Sequence, residues 1–115
     1  MRVLICGSRN YKDRNQIRTI LNQLPSDCII IQGGASGADA IAAHVATCQG
    51  KEVITFKADW KTHGKAAGPI RNQQMLDEGK PDLVIAFHED IESSRGTKDM
   101  VRRSREAGLP VLLYK

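Results

Sequence analysis

Aromatic residues are scarce in this chain: two Phe, two Tyr and one Trp among 115 residues. A surface that stacks unpaired bases needs several such rings beside a basic groove, so nucleic acid is not the expected partner. The charge agrees. Seven basic residues stand against four acidic ones up to Lys57 and ten against nine after it, a net +4 with no basic tail. Cysteine is sparse and odd in number (Cys6, Cys28, Cys48), with no C-x-x-C pair. Reduced thiols in a cytoplasmic protein are the expectation, rather than disulfides or metal ligands. No apolar run approaches the ~18 residues of a membrane span. The apolar start, Val3 to Cys6, is too short for a signal-peptide core and is stopped by Gly7.

Two phosphate-loop signatures are also missing. Neither G-x-x-x-x-G-K-[ST] nor G-x-G-x-x-G occurs, and no acidic residue ends the second apolar run. An ordinary ATPase and an NAD-dependent dehydrogenase are therefore not expected, and no cofactor is implied. His63 beside Asp59, and His88-Glu89-Asp90, offer two ligands without a third; neither makes a metal site. His44 reads as a helix-face residue. At 41% hydrophobic and 26% charged, the chain is neither disordered nor fibrous. Residues 1–115 read as one small domain able to bury a core without disulfides or metal, with no room for a separate lid domain.

What is present is alternation. Short apolar runs at Val3–Cys6, Cys28–Ile31, Val53–Phe56, Leu83–Phe87 and Val111–Tyr114 have the look of strands buried on both faces. Between them lie helical stripes. Ile17, Ile20, Leu21 and Leu24 follow a D-x-x-Q capping pattern at Asp13–Gln16, and Ala38, Ile41, Ala42, Val45 and Ala46 form the next. Ala67 to Leu76 carries Pro69 in its first turn, and Met100, Val101, Ser104 and Ala107 line the last helix. Residues 57–66 and 89–95 read as loops. This βαβαβαβαβ order predicts an α/β fold, a single Rossmann-like doubly wound parallel sheet of five strands in order 3-2-1-4-5, with helices on both faces. Ligands of such sheets bind at the carboxyl ends of the strands, in the crevice between the first and fourth.

The loops at that end concentrate glycine. Gly7-Ser8-Arg9 follows the first strand and Gly33-Gly34-Ala35-Ser36-Gly37-Ala38-Asp39 the second; Ser94-Arg95-Gly96-Thr97 precedes the last helix. Glycines ahead of a helix let an anion approach its free N–H groups and positive dipole end. The same glycines also serve tight βα turns, and Ser36 with Asp39 fits an S-x-x-D cap that needs no ligand. Trp60 offers either a base-stacking face or a cover for the core edge. Arg71 and Asn72, at a helix start, suit a bidentate phosphate contact or a plain surface position. Of the charged set Arg95, Lys98, Arg102, Arg103 and Arg105, only Arg95 adjoins a glycine turn.

G-S-R, G-G-A-x-G-A-D, A-D-W-x-x-H-G-x-A-A-G-P-I-R-N-x-x-M and R-G-T-x-D-M together resemble the YspA-type (cpYpsA-related) branch of the SLOG superfamily. It is distantly similar to the Lonely guy phosphoribohydrolases and the DNA-processing protein of transformation. The resemblance implies a Rossmann-like domain that binds a nucleotide or nucleotide-derived small molecule, as a sensor or nucleotide-processing effector. It further implies a homo-oligomer, in which a neighbour completes a lidless crevice. Arg71 and Met75 match the hydrolases' arginine–methionine motif, whereas Met100 stands where those enzymes have glutamate. Asp99, Glu89 and Asp39 remain as candidate carboxylates for base–ribose cleavage, the alternative activity; single-stranded nucleic acid binding is a third reading. The ligand-binding set is Gly7, Ser8, Arg9, Gly33, Gly34, Ala35, Ser36, Gly37, Asp39, Trp60, Arg71, Asn72, Arg95, Gly96 and Thr97.

Overall fold

A computed structural model of the chain describes residues 1–115, and each apolar run is a strand in it. The strands are β1 (Arg2–Gly7), β2 (Ile29–Gln32), β3 (Glu52–Thr55), β4 (Leu83–Phe87) and β5 (Val111–Tyr114). They pair in parallel in the order β3-β2-β1-β4-β5. The helices are α1 (Arg14–Asn22), α2 (Ala38–Cys48), α3 (Trp60–His63), α4 (Ala67–Asp77) and α5 (Gly96–Glu106).

Strand pleating explains why β1 is apolar throughout. Successive side chains point to opposite faces, and both faces are covered. Val3 and Ile5 pack with Ile17 and Leu21 of α1 and with Ala42 of α2. Leu4 and Cys6 pack with Met75 of α4 and with Met100 and Val101 of α5. Each such aliphatic burial contributes roughly 1.5–3 kcal/mol, whereas an exposed ion pair contributes at most about 1 kcal/mol. The sheet and its two helical layers are therefore set by the apolar pattern.

Local signals start the helices. The Asp13 carboxylate accepts the Gln16 N–H at 3.0 Å and caps α1. Gln16 itself does not close the capping box; its side-chain oxygen accepts the Tyr11 hydroxyl. The stretch expected to be loop at 57–66 holds α3 and a 3-10 turn at Gly64–Ala66. The same device is the reason, because the Asp59 carboxylate accepts the Thr62 N–H at 3.1 Å. The expected loop at 89–95 likewise holds one 3-10 turn, Ile91–Ser93. None of the helices is long and apolar enough to cross a membrane.

Strand order reverses between β1 and β4. Connections from β1 and β2 lead one way along the sheet and those from β3 and β4 the other, which leaves a crevice at the strands' carboxyl ends. Its floor is tightly tied. The Ser8 N–H donates to Phe87 O at 2.9 Å, and Ser8 O accepts from Ala38 N at 3.0 Å and Tyr11 N at 3.3 Å.

Candidate functional site

A cavity of about 350 Å³ opens between β1 and β4. Gly7, Ser8 and Arg9 line it from the first loop, Ala35 and Asp39 from the second, and Arg71 and Asn72 from α4. Arg95, Gly96 and Thr97 close it at the start of α5, with Met100 behind them. A second cavity of about 380 Å³ lies alongside, formed by Gly33, Gly34, Ser36, Lys57, Ala58 and Trp60. Arg9, Ala35 and Arg71 belong to both, so the crevice has two lobes meeting at two arginines. The α5 lobe is charged and polar, and the other offers the indole of Trp60, which is 52% exposed.

Arg71 is built in rather than free. Its Nη1 donates to the Gly33 carbonyl at 2.6 Å and its Nε to Asn72 Oδ1 at 3.2 Å. A Cβ on Gly33 would fall on the Arg71 guanidinium, so glycine is needed there for the arginine to lie across the loop. Burial pulls the Arg71 guanidinium below its ordinary range, against the Asp39 carboxylate, which favours the charged form; it stays cationic at neutral pH. Asn72 donates onward to Gly96 O at 3.3 Å and Asp99 Oδ2 at 3.0 Å, locking the start of α5 to α4. Neither Arg9 nor Arg95 has an ion-pair partner, and both are exposed at the rim.

The glycine loop after β2 does not present its first amides outward. Gly33 N and Ala35 N donate to Asp39 Oδ2 at 3.2 and 3.3 Å, and Gly34 N donates to Gln32 Oε1 at 2.6 Å. Nor is the S-x-x-D cap formed. Gly37 is the N-cap of α2, without a side-chain bond, and Asp39 turns back into the loop instead. The carboxylate turns to the two loop amides because charge-assisted bonds are the stronger ones. The helix end left open toward the α5 lobe is that of α5, where only Thr97 N has a side-chain acceptor, Ser94 Oγ at 3.0 Å.

The three candidate carboxylates differ sharply. Asp99 faces away from both cavities, held by Arg102 Nη2 and Arg103 Nε at 2.8 Å each. Burial would raise its pKa, but hydrogen bonds from Asn72, Arg103 and Arg102 outweigh that and lower it. Glu89 lies outside the cavities too. It accepts the Ser8 hydroxyl at 2.7 Å, and that bond, with one from its own amide, holds its pKa down. Asp39 alone lines the α5 lobe, 6% exposed, with Oδ1 unpartnered.

Burial pushes the Asp39 pKa up to about 6, against the lowering pull of the Ala35 amide, Arg71, the Gly33 amide and Arg9. The folded protein therefore holds this proton between about pH 4 and 6, where the unfolded chain, near the ordinary 3.8, has released it. Stability from this group is full below pH 4 and is lost as pH rises through 6. Asp39→Asn removes that dependence. Urea denaturation from pH 4 to 7.5 is expected to show the wild type losing stability relative to the variant, by at most about 3 kcal/mol at neutral pH.

The ligand-binding set drawn from the sequence leaves out Cys6, Asn10, Met75, His88 and Ser94, all of which line the α5 lobe; Met75 and Ser94 entered only through the arginine–methionine motif and the loop before α5. Cys6 is buried in its floor, and burial raises its thiol pKa, so it stays protonated and inert. Gln32 was overlooked as well. A polar residue closing an apolar strand was the available signal; its amide links Thr55 Oγ1 to the Gly34 amide.

Comparison with known proteins follows the same lines. The family model described as "YspA, cpYpsA-related SLOG family" matches residues 1–63. The Gene 61 protein of Mycobacterium phage D29 is 38% identical over 122 residues, spanning 98% of this chain and 95% of that protein. The solved structure of DNA processing protein A (DprA) from Streptococcus pneumoniae superposes with a TM-score of 0.81 at 19% identity. That match takes in 97% of this chain and 49% of the DprA chain, so this chain spans about half of it and the likeness is one of fold.

Proposed function

Because the chain belongs to the YspA, cpYpsA-related SLOG family, we propose that it binds a nucleotide or nucleotide-derived small molecule across the two lobes of the crevice. It would act there as a sensor or nucleotide-processing effector. The observation that carries this reading is the convergence of Arg9 and Arg95, from two separate loops, and Arg71, from α4, on one cavity at a helix start. None of the three forms an ion pair with a carboxylate, as befits groups that pair with a ligand anion. Phosphate then lies among these arginines and the α5 amides, and the base reaches the Trp60 lobe.

Hydrolysis of a base–ribose bond has less support. Met100 lines the cavity where the related hydrolases carry glutamate, and Asp99 and Glu89 are engaged elsewhere. DNA, which the name of the Streptococcus protein raises, has less support again, since the cations along α5 are mostly spent internally. Lys98 pairs with Glu92, Arg102 with Asp99 and Glu106, and Arg103 with Asp99.

A thermal-shift screen over nucleoside mono- and diphosphates and their sugar conjugates tests the proposal. Ligand at 100 times Kd adds about 2.7 kcal/mol, on the order of 10 °C in Tm at this size. Folded protein that shifts with none of them overturns the reading. Release of free base in the same mixtures would move the assignment to the hydrolase, and a salt-dependent shift of labelled oligonucleotide would move it to DNA.

A further inference from the structure

Asp39 holds the one buried side-chain polar atom in the protein without a partner. Its carboxylate has two ends with different fates. Oδ2 is committed to the loop, where it accepts Gly33 N and Ala35 N. Oδ1 is buried, unbonded, and belongs to a side chain that lines the α5 lobe of the crevice. Buried polar groups are almost always paired, and leaving one unpaired is costly, most of all on a charged group. The two neighbouring arginines do not relieve it: Arg71 donates from Nη1 to Gly33 O and from Nε to Asn72 Oδ1, and neither it nor Arg9 makes a bond to Oδ1.

We infer that Oδ1 of Asp39 is the acceptor for a hydroxyl on the sugar of the bound ligand, and so selects hydroxylated over deoxy sugars. The inference rests on the nucleotide-binding reading and adds to it the chemical class of the sugar. A carboxylate oxygen has no proton to give at neutral pH, so only a donor satisfies it. The place of Asp39 decides which donor. It lines the lobe that holds Arg95, Gly96 and Thr97, and it does not line the lobe that holds Trp60. A base stacked on Trp60 keeps its amino groups in the other lobe. The sugar, joined to the phosphate, is the part of the ligand that reaches Asp39. Rejection of a sugar without the hydroxyl follows from the same physics, because such a ligand closes the lobe over Asp39, shuts out water and leaves Oδ1 unpaired.

The test is isothermal titration of the wild type, Asp39→Asn and Asp39→Ala with adenosine, guanosine, cytidine and uridine 5′-monophosphates. The 2′-deoxy, 3′-deoxy and 2′,3′-dideoxy forms of the tightest binder follow. The wild type is expected to prefer the ribose form over the dideoxy form by about 10–100-fold, with one of the two single-deoxy forms accounting for the loss. Both variants are expected to lose most of that preference, read as the ratio of ribose to dideoxy affinity within each protein. Asn keeps an oxygen for the Gly33 and Ala35 amides, so it remains the informative variant if Ala fails to fold.

Equal affinity for ribose and dideoxy forms in the wild type overturns the inference and leaves nucleotide binding standing. A variant that weakens both forms equally also overturns it, since that is the signature of a merely structural carboxylate. A preference that instead follows the amino group of the base, seen as adenosine against inosine monophosphate, assigns Oδ1 to the base and overturns the sugar assignment. If no monophosphate binds folded wild type, the premise and the inference fall together.

Discussion

Gly37→Ala is expected to cost about 4 kcal/mol or more, a large share of the roughly 5–15 kcal/mol that holds a domain folded. Gly37 has φ 74° and ψ −126°, a conformation that side chains rarely adopt and that costs of order 1–3 kcal/mol. A Cβ there would also fall on the Ser8 carbonyl oxygen and 2.5 Å from the Arg9 carbonyl carbon and oxygen. Those atoms are backbone and cannot rotate aside. Moving them breaks the bonds by which Ser8 O holds Ala38 N and Tyr11 N, and so the junction of β1, α1 and α2. Gly96→Ala is the control. Its site is open for 4 Å around an added Cβ and has no positive φ, so its stability is expected to change by no more than about 1 kcal/mol. Urea denaturation of both variants, followed by circular dichroism, checks the pair.

Arg71→Ala is expected to weaken nucleotide binding about 100-fold or more while the protein stays folded. Arg71 is the one α4 side chain that borders both lobes, so the ligand meets it whichever lobe it enters first. A hydrogen bond to a charged group is worth roughly 1.5–3 kcal/mol, and a guanidinium supplies two in a fixed plane. Its removal has a second consequence. Asp39 loses a cation that pulls its pKa down, and so keeps its proton to higher pH. Arg71→Lys is expected to recover only part of the affinity, because an ammonium cannot bond Gly33 O and Asn72 Oδ1 in one plane. Arg105→Ala, in the last turn of α5 and outside both lobes, is expected to change affinity less than twofold. Calorimetric titration with the tightest-binding nucleotide reads all three.

The sheet was legible because a parallel strand buried on both faces leaves a mark that little else does. Val3 to Cys6 and Leu83 to Phe87 are such runs, and their alternation with helical stripes fixes the topology through the handedness of the crossovers. The glycine loops marked the crevice for a related reason: Gly7 and Gly37 exist because backbone passes backbone there. What the sequence did not disclose was the direction of side chains. The pairing of Ser36 with Asp39 looked like a cap, but the carboxylate points the other way and binds the loop amides. Nothing local distinguishes the two, since the loop that offers those amides is itself held at the Gly33 carbonyl by Arg71, thirty-odd residues further on. Asp99 was one helix position from the expected carboxylate, and only the tertiary contacts show that Asn72, Arg102 and Arg103 already hold it. Trp60 sits on a short helix that no apolar period announced, because its start is a single capping aspartate.

The most direct test of nucleotide binding in this crevice is a two-dimensional NMR titration of labelled protein with a ribonucleoside 5′-monophosphate, well suited to a chain of 12.7 kDa. Chemical-shift changes are expected to gather on the amides of Ser8, Arg9 and Ala35 and of Arg95 to Lys98, with the Trp60 indole and the Arg71 side chain moving alongside. No change at saturating nucleotide, or changes gathered instead along the outer face of α5 or the β5 edge, would contradict the account.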